Sequence, residues 1–326
     1  RQFLTASVPD FQTAVPPARP GDTVTDPAVW QKYYVDYIAY INELEPAAKQ
    51  SAWEALGADI RQLSKTHPEL ITAQAMAKVL SGITQELKTK WRNQDDTYKN
   101  IDFTKAQTDI LAAALNFVKS DTFKSMGDGN KDRVVLNFTH FAVELSWRSA
   151  FNETNSVLYP RISQVYKAVL EGGSTNVKAF AFTQLLHLFR TANWGSPEGN
   201  RAVAQQLLKD ALTITGGLKG LMEEFSANIN NTDLDADIRA WIACAVADLV
   251  WHQKDLNAAA GSELITNAVA ASATKLLSGF LSQVNSGSLE ISGNLRNNLM
   301  HHSGSALNTL VRADKKDTKY AQGLAE

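Results

Sequence analysis

Cysteine is almost absent from this sequence, since the chain of 326 residues contains one, Cys244. A single thiol excludes an intramolecular disulfide framework and any metal cluster built on several cysteines. Apolar stretches are short, and none reaches the roughly 18 residues that a membrane-spanning helix needs. Charges nearly cancel, with 32 Lys and Arg against 34 Asp and Glu. The overall charge therefore gives no electrostatic attraction to nucleic acid or to an anionic membrane, although a local groove could still bind nucleic acid.

The short motifs that are typical of common enzyme classes are also missing. The sequence has no H-E-x-x-H zinc motif, no G-x-S-x-G nucleophile elbow, no Walker A loop and no G-x-G-x-x-G turn. We therefore predict no cofactor, no metal site and no catalytic residue set from motifs.

Proline is scarce outside one region. Five of the nine prolines fall within residues 1–27, where fixed φ angles and missing N–H donors favour an extended arm or linker. The chain opens at Arg1 without an initiator Met, so we expect a processed piece of a longer product. From Ala28 onward, over residues 28–326, the pattern is helical.

Apolar residues recur at helical spacing almost throughout this body, and no alternating strand of useful length is present. The fold class predicted is all-α, with ten or more helices joined by short turns. Helix pairs recur about every forty residues, which fits either a HEAT-like solenoid of antiparallel pairs or a compact orthogonal bundle. The Gly-Gly-Ser connection ending at Ser174 is a possible boundary between two parts of the body.

Aromatic residues are concentrated in the first helix of the body. Trp30, Tyr33, Tyr34 and Tyr37 follow one helical stripe, and a later apolar helix ends near Trp194. Tyr and Trp carry both apolar area and a polar atom, so they suit a partly buried surface that recognises a partner. The alternative is that the stripe packs this helix against its neighbour. We take these five residues as the candidate binding residues, with a protein or peptide as partner.

Two histidines have neighbours of possible chemical interest. His140 and Glu144 are four residues apart and share a helix face, but Arg133 and Arg148 share it too and would repel a metal ion. We interpret this face as solvated, with an ion pair between Glu144 and Arg148. His187 lies between two leucines and is expected in the core.

The remaining polar positions have structural interpretations. His252 is expected near a helix end, and the pair His301 and His302 at a helix end or on a polar surface. The acidic run at Asp233, Asp235 and Asp237 has the spacing of a calcium loop but lacks its later ligands, so we predict helix capping. Cys244 is surrounded by apolar residues and should behave as a small hydrophobe.

Three functional hypotheses follow. The first is a non-catalytic helical interaction or scaffold module, an accessory part of a larger secreted or envelope protein. The second is a self-assembling coat or nucleocapsid-type protein, since an extended arm suits exchange between subunits. The third is an α-helical enzyme whose site assembles from distant residues, with His140, Glu144, His187 and His252 as candidates.

Overall fold

A computed structural model describes residues 15–146, 158–195 and 201–314. Within these ranges the chain forms fourteen α-helices and no strand. The first seven are α1 Pro27–Glu43, α2 Pro46–Thr66, α3 Ala73–Trp91, α4 Thr104–Lys119, α5 Asp121–Ser125, α6 Asp128–Ser146 and α7 Leu158–Gly172. The other seven are α8 Thr175–Gly195, α9 Arg201–Ala211, α10 Gly217–Asn228, α11 Ala236–Trp251, α12 Gln253–Ala260, α13 Asn267–Asn285 and α14 Gly293–Asp314. The predicted all-α class is confirmed.

Local signals fix where most of these helices begin and end. Pro27 stands at the first position of α1, where the Asp26 side chain accepts from the N–H of Ala28 at 2.9 Å. Pro68 opens a short 3₁₀ turn, and α3 starts at Ala73 because the Thr72 side chain caps it. Gly261 ends α12 with a φ of 67°, which separates α12 from α13.

Successive long helices alternate between two layers. In the first layer each helix packs against the next in the order α1, α3, α6, α8, α11, α14. In the second layer the order is α2, α4, α7, α9, α12. The helices α10 and α13 both pack on α11. This arrangement is a helical array, because helices that are neighbours within a layer are separated along the chain by one or two other helices.

One continuous core lies between the layers, and it contains residues from both before and after position 174. Its largest fully buried side chains include Trp30, Trp53, Tyr34, Tyr166 and Phe182. The layers are in close contact at Gly82, where a Cβ atom would lie 2.8 Å from a ring carbon of Trp53. Whether the body divides near Ser174 stays a prediction.

The described part of the arm lies on the body. Arg19 donates to Asp59 of α2 and to Asp22, and its guanidinium sits 4.9 Å from the ring centre of Trp30. The same Asp59 accepts from the hydroxyl of Tyr34 at 2.9 Å. The arm is thereby attached to α1 and α2 from about Arg19 onward. No helix in the described ranges is long and apolar enough to cross a membrane.

Candidate functional site

A groove crosses the face of the first layer. It consists of two adjoining depressions, of about 270 Å³ and 420 Å³, that share His140 and His187. Helices α3, α6, α8, α11 and α14 all contribute to it. We call this feature the groove. Its polar lining includes Ser81, Thr84, Gln85, Lys88, Arg92, Asn137, His140, Glu144, Gln184, His187, Arg190, Asp248, His252, Asn298, His301 and His302.

The two histidines at its centre point outward because their helices bury other faces. Helix α6 buries Phe138 and Phe141, which leaves His140 exposed. Helix α8 is buried on nearly every side, yet His187 is exposed at the groove. The expectation that His187 lies in the core was therefore wrong. Its leucine neighbours are buried because they lie on either side of it around the helix, about 100° away.

At one end of the groove, Glu144 pairs with Arg92 of the segment that follows α3. Two contacts of 2.9 Å join the guanidinium to the carboxylate, and the Glu144 side chain is 6% exposed. The expected solvated face was therefore wrong for Glu144, and the expected pair with Arg148 involves a residue outside the described ranges. Burial raises the pKa of Glu144, and the positive charges of Arg92 and Lys88 oppose this shift.

At the other end, Arg190 lies over an aromatic ring. Its guanidinium carbon is 4.6 Å from the ring centre of Trp251, which also stacks on His252 at 4.8 Å and 30°. One guanidinium nitrogen of Arg190 lies 3.0 Å from Nδ1 of His187. Within the described ranges Arg190 forms no ion pair with a carboxylate, so its charge is available to a ligand.

Below this stack, Asp248 is buried and holds His302. The Nδ1 atom of His302 donates to one carboxylate oxygen of Asp248 at 2.5 Å. The Asp248 side chain is 2% exposed, and its second oxygen, Oδ2, has no hydrogen-bond partner among the described residues. Because Nδ1 is the donor, a neutral His302 ring keeps Nε2 as an acceptor. His301, next along α14, is exposed and packs edge-on against Trp251. The sequence predicted His301 and His302 either at a helix end or on a polar surface. They lie within α14, so the first of these two expectations was wrong.

The electrostatics of the groove favour an anion. Burial, followed by the charge of Arg92, lowers the pKa of His140. Burial also lowers the pKa of His187, helped by Arg190, His140 and His302 and opposed by Asp248. Burial lowers the pKa of Arg190 as well, against the attraction of Asp248. Besides burial, the positive charges of Arg92 and Arg190 lower the two histidine pKa values, and a bound anion would oppose that effect.

The aromatic residues selected from sequence lie elsewhere. Trp30, Tyr33 and Tyr34 are buried, with exposures of 1%, 7% and 0%. Tyr37 is half-buried, and the rings of Tyr33 and Tyr37 meet edge-on at 5.7 Å. The side chain of Trp194 lies outside the described residues. In this structure the stripe packs α1 onto its neighbours, and partner binding by these residues stays a prediction.

Of the four residues suggested for a dispersed enzyme site, the structure brings three together. His140, His187 and His252 line the same depression, and Glu144 lines the adjoining one. His252 ends α11, as expected for a helix-terminal histidine. Among the residues that the structure describes, no group of three or more His, Cys, Asp and Glu could hold a metal ion.

Two smaller expectations are confirmed. Asp235 is the N-cap of α11, and its side chain accepts from the N–H of Asp237 at 2.8 Å. Cys244 is fully buried, and burial raises the pKa of its thiol. The acidic run is thus a capping sequence, and the cysteine packs as a small apolar residue.

Sequence reasoning missed three important groove residues, Arg190, Asp248 and Trp251. One signal was available for Asp248, since an acidic residue inside the apolar run of α11 needs a partner when it is buried. Nothing local identified that partner as His302, which lies 54 residues further along the chain.

The fold and the groove define an all-α array with a polar, histidine-lined groove across one layer. Comparison of the chain with protein-family models, with curated proteins and with solved structures gives no match. Functional inference therefore depends on the groove itself.

Proposed function

We propose that this protein is a non-catalytic binding protein whose ligand is a single-stranded nucleic acid lying along the groove. The observation that carries this proposal is the guanidinium of Arg190, which lies over Trp251 at 4.6 Å without a carboxylate partner among the described residues. A guanidinium in this position offers a charge to a phosphate and a flat face to a base.

The rest of the groove repeats the same two properties. The rings of His140, His187 and His301 are exposed along it, and Lys88 adds an exposed cation at the far end. Single-stranded nucleic acids bind where cations follow the phosphates and planar side chains stack on the bases. The helices of one layer are spaced about 8–10 Å apart, so a groove across five of them is long enough for several nucleotides.

Single strands fit this lining better than a duplex does. The bases of a duplex are already stacked, so planar side chains in a groove have no free base to contact. A peptide partner, expected from the first helix, is supported less because the three best aromatic anchors there are buried. The proposal keeps the second sequence-based hypothesis, a coat or nucleocapsid-type protein, and supports it by a local site despite the near-neutral net charge.

The test is fluorescence anisotropy with a labelled twelve-nucleotide single strand, as RNA and as DNA, at several salt concentrations. Each phosphate contact to a single strand contributes about −0.7 to the slope of log affinity against log salt. Arg92 is already paired with Glu144, so the two remaining groove cations, Lys88 and Arg190, give an expected slope of about −1.4. Arg190→Ala should weaken binding about tenfold or more and reduce the magnitude of the slope by about 0.7.

The control is Lys65→Ala, which removes an exposed cation from α2 in the other layer. It should change neither affinity nor slope. Equal slopes for the wild type and Arg190→Ala would contradict the proposal, as would equal affinity for a duplex of the same length. Stronger binding of an acidic peptide than of either oligonucleotide would favour a protein ligand instead.

A second candidate function, cleavage of a phosphodiester, is supported by one specific observation. His302 is held by the buried Asp248 at 2.5 Å with Nε2 left as an acceptor, which is how a general base is commonly oriented. The same incubations analysed on a denaturing gel distinguish the two functions. Shorter RNA products with the wild type that are absent with His302→Gln would support cleavage as the function. RNA that stays intact with the wild type would support binding without cleavage.

A further inference from the structure

The outer side of α11 carries an apolar groove that is separate from the site above. It lies between α10 and α13 and has a volume of about 320 Å³. No Asp, Glu, Lys or Arg lines it; its lining is Met222, Ser226, Val246, Leu249, Val250, Ile265, Ala268, Val269, Ser272, Ala273 and Leu276. We call it the apolar groove.

Its walls are only partly covered. Val246, Leu249 and Ile265 form a buried floor, while Met222, Val269 and Leu276 are half-exposed at the sides. Among the described elements α13 packs chiefly on α11, so its side towards α10 is open. Apolar surface arranged in this way is a common docking site for an extended or helical segment.

A matching segment occurs in the chain itself. Residues 1–14 contain Phe3, Leu4, Val8 and Phe11, with Arg1 and Asp10 as their only charged side chains. Such a segment has apolar side chains to place in an uncharged groove and few charges to desolvate.

Distance decides which copy of the segment can dock. The arm is attached at the α1 and α2 end through Arg19 and Asp59, whereas the apolar groove lies at the α10 and α13 end. Five helix-to-helix contacts separate α1 from α13, through α3, α6, α8 and α11, which corresponds to about 40–50 Å. Phe11 is eight residues from the attached Arg19 and extends at most about 26–29 Å from it, so it cannot enter the groove of its own molecule.

We propose that residues 1–14 of one copy dock in the apolar groove of a second copy. The contact joins opposite ends of two molecules and is head-to-tail, so each copy keeps one free arm and one free groove. Repetition gives a ring or an open filament. This proposal depends on neither Arg190 nor the histidine-lined groove, so its test is independent of the function proposed above.

The first test is sedimentation velocity of the full chain over a wide concentration range. The wild type should form species that grow with concentration. Phe11→Asp in the arm and Val269→Asp in the groove should each raise the dissociation constant about tenfold or more, because each places a charge in the apolar contact. Ala271→Asp is the matched control, since Ala271 lies on α13 but is exposed and does not line the groove.

The decisive measurement is an equal mixture of the two defective variants. The intact arm of Val269→Asp can enter the intact groove of Phe11→Asp, so the mixture should form dimers and nothing larger, while each variant alone stays monomeric. Circular dichroism melts verify that both variants are folded.

Three results would overturn the proposal. The wild type could remain a monomer at every concentration, or the mixture could fail to form dimers. Alternatively, Phe11→Asp could assemble like the wild type while Val269→Asp does not, which would assign the apolar groove to another occupant.

Discussion

The pH dependence of ligand binding offers a demanding test of the histidine-lined groove. In the free protein the pKa values of His140 and His187 are lowered by burial and by nearby positive charge. Both rings are therefore mainly neutral at pH 7 to 8. A phosphate placed beside them favours the charged form and raises both pKa values, so binding takes up protons. We expect affinity for a single strand to increase as the pH falls from 8 to 5.5.

The groups around the two rings set the size of this effect. Arg92 and Lys88 act from the α3 side, Arg190 from α8 and Asp248 from α11, while His301 and His302 face the groove from α14. A pKa increase of one unit on binding corresponds to about 1.4 kcal/mol, or tenfold in affinity. Two histidines that each gain one unit would together strengthen binding up to about a hundredfold at low pH.

Folding stability should respond to acid with the opposite sign. A histidine whose pKa is lower in the folded state than in the unfolded chain stabilises the fold above the unfolded pKa of about 6.5. That contribution is lost as the pH falls through the lowered folded value. Without ligand, the protein should therefore lose stability as the pH falls below about 6.5, while its affinity for nucleic acid increases.

The assay is anisotropy against pH for the wild type and for a variant carrying both His140→Gln and His187→Gln, with thermal melts at each pH. Glutamine keeps polarity and similar length, so the groove should stay intact while the proton uptake disappears. A double variant whose affinity increases with acid as steeply as that of the wild type would refute the reasoning. Affinity that falls with acid in the wild type would do the same.

Three further predictions concern the stability of the fold and are measured by chemical denaturation. Gly82→Ala should destabilise by about 1–3 kcal/mol, because the new methyl would lie 2.8 Å from the buried ring of Trp53. Glu86→Ala should destabilise by about 3–5 kcal/mol, since it leaves the ammonium of Lys49, now 2.8 Å from that carboxylate and 9% exposed, without its charge partner. Asp235→Ala should remove the α11 cap and destabilise by about 1 kcal/mol, while Asp233→Ala, an exposed neighbour, should change little.

Helices were predictable from sequence because their signals are local. Apolar spacing predicted the stripe of α1, and the acidic run predicted the cap of α11 at Asp235. Before α3 two local signals compete, Pro68 and Thr72, and the helix begins after the Thr72 cap. The layer order was not predictable, because it depends on packing between helices that are not adjacent in sequence.

Groove residues were harder to predict for the same reason. His140 was noted for its distance from Glu144, yet the partner of that carboxylate is Arg92, 52 residues away. His187 was assigned to the core because its neighbours are leucines, and periodicity cannot show which narrow sector of a nearly buried helix meets solvent. Asp248 has its hydrogen-bond partner, His302, only when α14 packs on α11. The residues around Asp248 in the sequence therefore could not identify that partner.

The architecture explains why a near-neutral protein can still attract an anion. In a two-layer array every helix of one layer has one side on the same outer face of the protein. Residues that are far apart in the sequence therefore become neighbours on that face. Lys88, Arg92 and Arg190 come from two helices about 100 residues apart, yet they line one continuous groove. Of the two carboxylates that line the groove, Glu144 is already paired with Arg92 and Asp248 with His302. The remaining positive charge of Lys88 and Arg190 is what an incoming phosphate meets, and it is this local excess, not the net charge of −2, that should govern binding.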